Sequence, residues 1–115
     1  MAGYRNNKYN ARKIRFDGHV FDSSKEATRY LILKDLERHG QIEDLVLQPA
    51  FVLQKKFQYE GKTLSAIKYI ADFMYKNHEG NLVVEDVKGY KTDVYNLKKK
   101  LFLRLYKRKY IFQEI

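Results

Sequence analysis

The chain has 115 residues, no Cys and no Trp, with 23 Lys and Arg against 14 Asp and Glu, a net charge of +9. That length suits one domain, and 44% hydrophobic residues supply a packed core. No Cys excludes disulfides and thiolate metal sites, no run reaches the ~18–20 apolar residues of a membrane span, and the first fifteen residues lack a secretory signal's apolar stretch.

Residues 1–13 read as a basic arm. Arg5, Lys8, Arg12 and Lys13 alternate with Tyr4, Tyr9 and three Asn, side chains that contact phosphates and stack on bases. Residues 14–115 read as one domain. Ile14-Arg15-Phe16 and His19-Val20-Phe21 flank Asp17-Gly18, a hairpin signature. A helix follows over Ser24 to Arg38, opened by Ser23 and Glu26 as a capping box and stopped at Gly40.

Short strands are expected at Leu45–Gln48 and Phe51–Gln54, divided by Pro49, the only proline. Phe57-Gln58-Tyr59 runs into a turn at Glu60-Gly61-Lys62. Ala66 to Lys76 alternates as one long strand, and Leu82 to Lys88, beyond the Asn77–Gly80 turn, should pair with it antiparallel. Thr92 caps a second helix over Asp93 to Tyr106, with Val94, Leu97, Leu101 and Leu105 as its expected buried stripe. Tyr110-Ile111-Phe112 closes the order, which describes an α/β fold: a mixed sheet flanked by two main helices.

The charge is unevenly placed. Residues 1–16 carry +5, residues 17–87 carry nine basic and twelve acidic groups for −3, and residues 88–115 carry +7. Basic ends around an acidic middle suit a polyanion partner, with Lys91, Lys98 and Arg104 as phosphate contacts beside the N-terminal arm.

Asp72 interrupts the apolar run Tyr69-Ile70-Ala71-Asp72-Phe73, and a carboxylate there needs a partner. Across the hairpin come Glu85, Asp86 and Lys88. Strand alternation puts Asp86 and Lys88 on one face and Glu85 on the other. Converging carboxylates with room for water suit Mg²⁺, or Mn²⁺ in its place. A plain ion pair between Asp72 and Lys88 is the structural alternative.

Asp72, a hairpin and Asp86-Val87-Lys88 resemble the PD-(D/E)XK nuclease superfamily. The longer string of Lys8-Tyr9, Phe21-Asp22-Ser23, Glu26, Arg29-Tyr30, Gln48-Pro49, Tyr69–Phe73 and Val84–Gly89 resembles small bacteriophage and prophage endonucleases described as Holliday-junction-resolvase-like. The loosely kept proline before the motif aspartate is Ala71 here. The resemblance implies a restriction-endonuclease-like domain and Mg²⁺-dependent cleavage of branched DNA by a homodimer in the bacterial host cytoplasm. It makes Asp72 a bridging metal ligand, Asp86 the second ligand, Lys88 the residue that orients the attacking water, and Glu26 a further acidic ligand. The capping box with Ser23 is the alternative account of Glu26, one that needs no metal. Nicking, restriction-like or transposon end-cleaving enzymes share the motif, and so does a silent DNA-binding module that keeps the fold.

Overall fold

Asp17 and Gly18 make the turn their sequence demands. In the computed structural model, which describes residues 13–115, both take positive φ, 54° and 78°, as a type I′ hairpin turn requires. Strands β1 (Ile14–Phe16) and β2 (His19–Phe21) pair antiparallel across it. Helix α1 (Ser24–Arg38) begins with Ser23 Oγ accepting the Glu26 N–H at 3.1 Å. The other half of the capping box differs from expectation. Glu26 Oε1 accepts the N–H of Asp22, at 3.2 Å. The helix ends in a Schellman motif: Gly40 N–H donates to Glu37 and Gln41 N–H to Leu36. Gly40 has φ 75°, a conformation that costs about 1–2 kcal/mol with a Cβ present.

Then follow β3 (Glu43–Leu47), β4 (Ala50–Gln54), β5 (Phe57–Tyr59), β6 (Lys62–Leu64), β7 (Ile67–Ile70), β8 (Phe73–Lys76) and β9 (Leu82–Asp86). Helix α2 (Asp93–Tyr106) and strand β10 (Tyr110–Glu114) complete the chain. The central sheet has the order β10-β9-β8-β3. Its β10–β9 pair is parallel, and the other two pairs are antiparallel. The α/β class and the mixed sheet between two helices agree with the sequence reading.

Two cores fill the space between sheet and helices. On the α1 side, Phe21, Tyr30, Leu33, Phe73 and Val83 pack together. On the α2 side, Phe51, Tyr69, Val84, Tyr95 and Phe102 do so. Strand β9 lies between them with Val83 to Asp86 all buried. Val83 and Glu85 face α1, while Val84 and Asp86 face the α2 side.

Three expectations need correction. The run from Ala66 to Lys76 is not one strand. It breaks at Ala71-Asp72, where β7, paired with β4, gives way to β8, paired with β3 and β9. Tyr69 and Ala71 pack on the α2 side, yet Phe73 and Tyr75, of the same parity, pack on the α1 side. An irregularity of this kind exchanges the faces of a strand. The region around Gly61 is also more than a turn, because Lys62–Leu64 pairs with Phe57–Tyr59 as a second hairpin.

The third correction concerns α2. Its buried side chains are Tyr95 and Phe102, while Val94 and Leu97 are 62% and 59% exposed and Leu101 and Leu105 also face outward. The aromatic pair won the core because each ring fills more apolar volume than a branched aliphatic: both meet the Tyr69 ring at a tilt, and Phe102 also meets Phe51 edge-on. Among the described residues, no helix is long and apolar enough to cross a membrane.

Candidate functional site

The break between β7 and β8 places Asp72. Its N–H donates to Glu85 O at 3.1 Å and its C=O accepts from Gln48 N–H at 2.9 Å. Its Oδ2 accepts the Val87 N–H at 2.7 Å. That last bond ties the carboxylate to the residue between Asp86 and Lys88, so the acid, hairpin and acid-x-Lys pattern closes on itself.

Asp86 ends β9 with its side chain 1% exposed. Its Oδ2 accepts a hydrogen bond from the Tyr69 hydroxyl. Lys88 Nζ forms an ion pair with Oδ1 at 3.1 Å, and among the described residues Oδ1 has no hydrogen-bond partner. A buried carboxylate oxygen without one is expensive, and sites of this kind ask for an explanation. Lys88 Nζ also lies over the Tyr95 ring, 4.4 Å from its centre, in a cation–π contact. Lys88 therefore pairs with Asp86, not with Asp72 as the plain cross-strand ion pair required.

Glu26 reaches the same place from the first turn of α1. Burial raises its carboxyl above the ordinary range; the Asp22 N–H opposes this, and the Asp22 and Asp86 charges add to it. Asp72 is affected more strongly. Burial pushes it up to about 8, reinforced by hydrogen bonding with Asp86 and by the Asp86 and Glu26 charges, against the pull of the Val87 N–H. Glu26 and Asp72, and Asp72 and Asp86, thus lie within each other's electrostatic reach. Among the described residues no group of three or more His, Cys, Asp or Glu side chains stands at metal-ligand spacing.

Glu26, Asp72 and Lys88 line one open cleft of about 300 Å³. It adjoins a hollow of about 440 Å³ that shares Asp22 and Glu26 and includes Lys13 and Gln48. Gln48 has φ 54°, a strained conformation for a residue with a Cβ, held there by its bond to Asp72 O. Glu85 stays out of the cleft. On the α1 face it accepts Arg29 Nε and Nη2 at 2.8 and 2.6 Å and the Tyr75 hydroxyl at 2.5 Å. The sequence reading that sent Glu85 to the opposite face from Asp86 is correct.

The basic candidates are more dispersed. Lys13 lies at the cleft and pairs with Asp22 at 2.8 Å. Lys91 pairs with Glu114 at 3.1 Å. Lys98 and Arg104 sit on α2, half-buried and exposed respectively. Arg5, Lys8 and Arg12 lie outside the described residues.

Tyr69 is the site residue that sequence reasoning missed. In an unbroken strand it would face away from Asp72 and the acid-x-Lys face. The only hint was chemical: a tyrosine hydroxyl in a buried run needs a partner. Here burial, then the bond to Asp86, raise it far above its ordinary pKa, so it remains a hydrogen-bond donor. Tyr95, which contacts Lys88 through its ring, gave no signal beyond an apolar helix position.

Among curated proteins no significant match was found. The family model described as a protein of unknown function, DUF1064, matches residues 6–113. That span covers nearly the whole chain, site included, and the chain belongs to this family.

Proposed function

We propose that the protein is a Mg²⁺-dependent endodeoxyribonuclease that hydrolyses phosphodiester bonds in branched DNA. The observation that carries the reading is the mutual charge interaction of the Asp72, Asp86 and Glu26 carboxylates beside Lys88, with the buried Asp86 Oδ1 lacking a hydrogen-bond partner among the described residues. Hard oxygen donors with mutual repulsion that a dication relieves fit Mg²⁺ or Mn²⁺. Asp72, Asp86 and Glu26 would hold the ion. When bound, it supplies Lewis-acid activation of the scissile phosphate and lowers the pKa of water.

The chain's own groups have separable tasks. Val87 N–H occupies one oxygen of Asp72, and the Tyr69 hydroxyl occupies one of Asp86, whose other oxygen faces the Lys88 ammonium. Lys88, held between Asp86 and the Tyr95 ring, orients the attacking water and balances charge on the phosphate. Arg29 fixes Glu85, and so β9, to the helix that carries Glu26. Paired cuts at a branch need two sites, and a homodimer of this one-site chain provides them.

Cleavage of a labelled four-way junction and of a linear duplex of the same sequence, with and without Mg²⁺, tests the reading. Wild type should cut the junction faster and only with Mg²⁺. Asp72→Asn and Asp86→Asn should remove cutting while binding persists. Equal rates on the two DNAs would leave a nuclease without branch selectivity, and no cutting of either would refute nuclease activity.

A further inference from the structure

Between Gln48 and Asp72 the chain leaves the sheet and returns as a two-stranded arm. Its inner part is the β4–β7 pair and its outer part the β5–β6 pair. The tip, Glu60-Gly61, has φ 48° and 77°, another type I′ turn. About ten residues per limb give a reach of roughly 33 Å at 3.3 Å per residue.

The inner part packs on α2 through Phe51 and Tyr69. Among the described residues the outer part joins neither core, and its strands make substantial contact only with each other. An isolated hairpin is marginal in water. This one nevertheless exposes Phe57, Tyr59 and Leu64, with Tyr59 60% accessible. Register places Phe57 beside Leu64 and Tyr59 beside Lys62, while Gln58 and Thr63 hydrogen-bond on the other face.

Charge separates this arm from its surroundings. Residues 55–68 carry Lys55, Lys56, Lys62 and Lys68 against Glu60, a net +3, within a segment, 17–87, that is −3 as a whole. The rest of that segment is therefore −6. The basic arm springs from the site itself: Gln48 N–H to Asp72 O and Ala71 N–H to Pro49 O clamp its two limbs at the catalytic carboxylate.

We propose that the arm grips DNA, with its lysines on phosphates and Phe57 and Tyr59 against bases unstacked at a branch. This rests on the nuclease reading and names the element that would engage its substrate. A two-stranded ribbon fits a major groove about 12 Å wide. Exposed apolar rings act as wedges or stacking platforms where bases part. A second copy of the chain, itself at +9, is the occupant that charge disfavours.

Binding of a fluorescent four-way junction and of the matching duplex, measured in EDTA over a salt series, tests this apart from cleavage. Lys55→Gln, Lys56→Gln and Lys62→Gln together should weaken both DNAs at least tenfold and reduce the salt slope by about 2–3. Phe57→Ser with Tyr59→Ser should weaken the junction about ten- to a hundredfold while the duplex is little affected. Both variants should melt with the wild type, since the outer hairpin touches neither core.

Wild-type binding and salt slope in both variants would overturn the proposal. An equal loss on duplex and junction in the aromatic variant would overturn the branch assignment. A fall in oligomeric mass with unchanged DNA affinity would make the arm a self-association surface instead. If wild type cuts DNA with Mg²⁺ and the variants bind as it does, the arm inference fails alone. If wild type binds neither DNA, the nuclease reading fails with it.

Discussion

Arg29 grips Glu85 through two charge-assisted hydrogen bonds, Nε to Oε1 at 2.8 Å and Nη2 to Oε2 at 2.6 Å. The carboxylate is fully buried and the guanidinium mostly so. The pair joins α1, which carries Glu26, to β9, which carries Asp86. Removing one partner strands a buried charge. Arg29→Ala should therefore cost about 3–5 kcal/mol in urea unfolding, and replacing both Arg29 and Glu85 with Met should cost far less than Arg29→Ala. A loss below about 1 kcal/mol for the single change would show that the pair does not bind helix to strand.

Asp72 should respond to pH in the direction its environment dictates. Its folded pKa, about 8, lies above the ordinary 3.8, so the folded state holds the extra proton between those values. Stability then falls as pH rises through that window. Asp72→Asn keeps an acceptor for the Val87 N–H without the charge. In the absence of divalent cations it should be more stable than wild type at pH 8 by at least about 1 kcal/mol, with the gap closing toward pH 4. A gap that is constant with pH counts against a strained carboxylate.

Mg²⁺ should reverse that penalty. Binding must displace the proton on Asp72, so the melting-temperature gain from Mg²⁺ should be larger at pH 8 than at pH 5.5. Calorimetry in buffers of different ionisation enthalpy should detect proton release at pH 7. Asp86→Asn should lose both effects, and an equal gain in that variant would place the ion elsewhere.

Glu114 near the end of β10 gathers Tyr95, Lys91 and Lys99 from the α2 side. The Tyr95 hydroxyl first, then Lys99 and Lys91, hold its carboxyl down at about 2. A lowered pKa contributes stability above about pH 4.5 that is lost as pH falls toward 2. Glu114→Gln should be less stable than wild type at pH 7 and indistinguishable from it near pH 2, by thermal melting.

Helix α2 offers a contrast between its two faces. Phe102 is fully buried and Leu97 is 59% exposed. Phe102→Ala should cost about 3–5 kcal/mol, whereas Leu97→Ala should stay within about 0.5 kcal/mol. A large loss from Leu97→Ala in dilute monomeric protein would mean that the aliphatic row is covered.

Much of the local structure was legible in the residues themselves. Asp17-Gly18, Ser23 with Glu26, Gly40 and Thr92 located the first hairpin and both helices, because turns and caps depend on a few neighbouring side chains. Asp72, Asp86 and Lys88 were legible for a similar reason: charges in apolar strands stand out and alternation fixes their faces. Alternation failed only where the strand did, at Ala71-Asp72.

What the tertiary structure decided was which of two apolar faces is buried and which side chains meet across elements. On α2 the sequence presents an aliphatic row and an aromatic pair, and only the shape of the opposing Phe51, Tyr69 and Val84 surface selects the aromatics. Likewise, Tyr69 reaches Asp86 because the strand break exchanges faces, and Arg29 reaches Glu85 across 56 residues of chain. Those pairings are long-range. Local propensity and periodicity determine which elements form, but burial of the available apolar volume and satisfaction of buried charges determine how they dock.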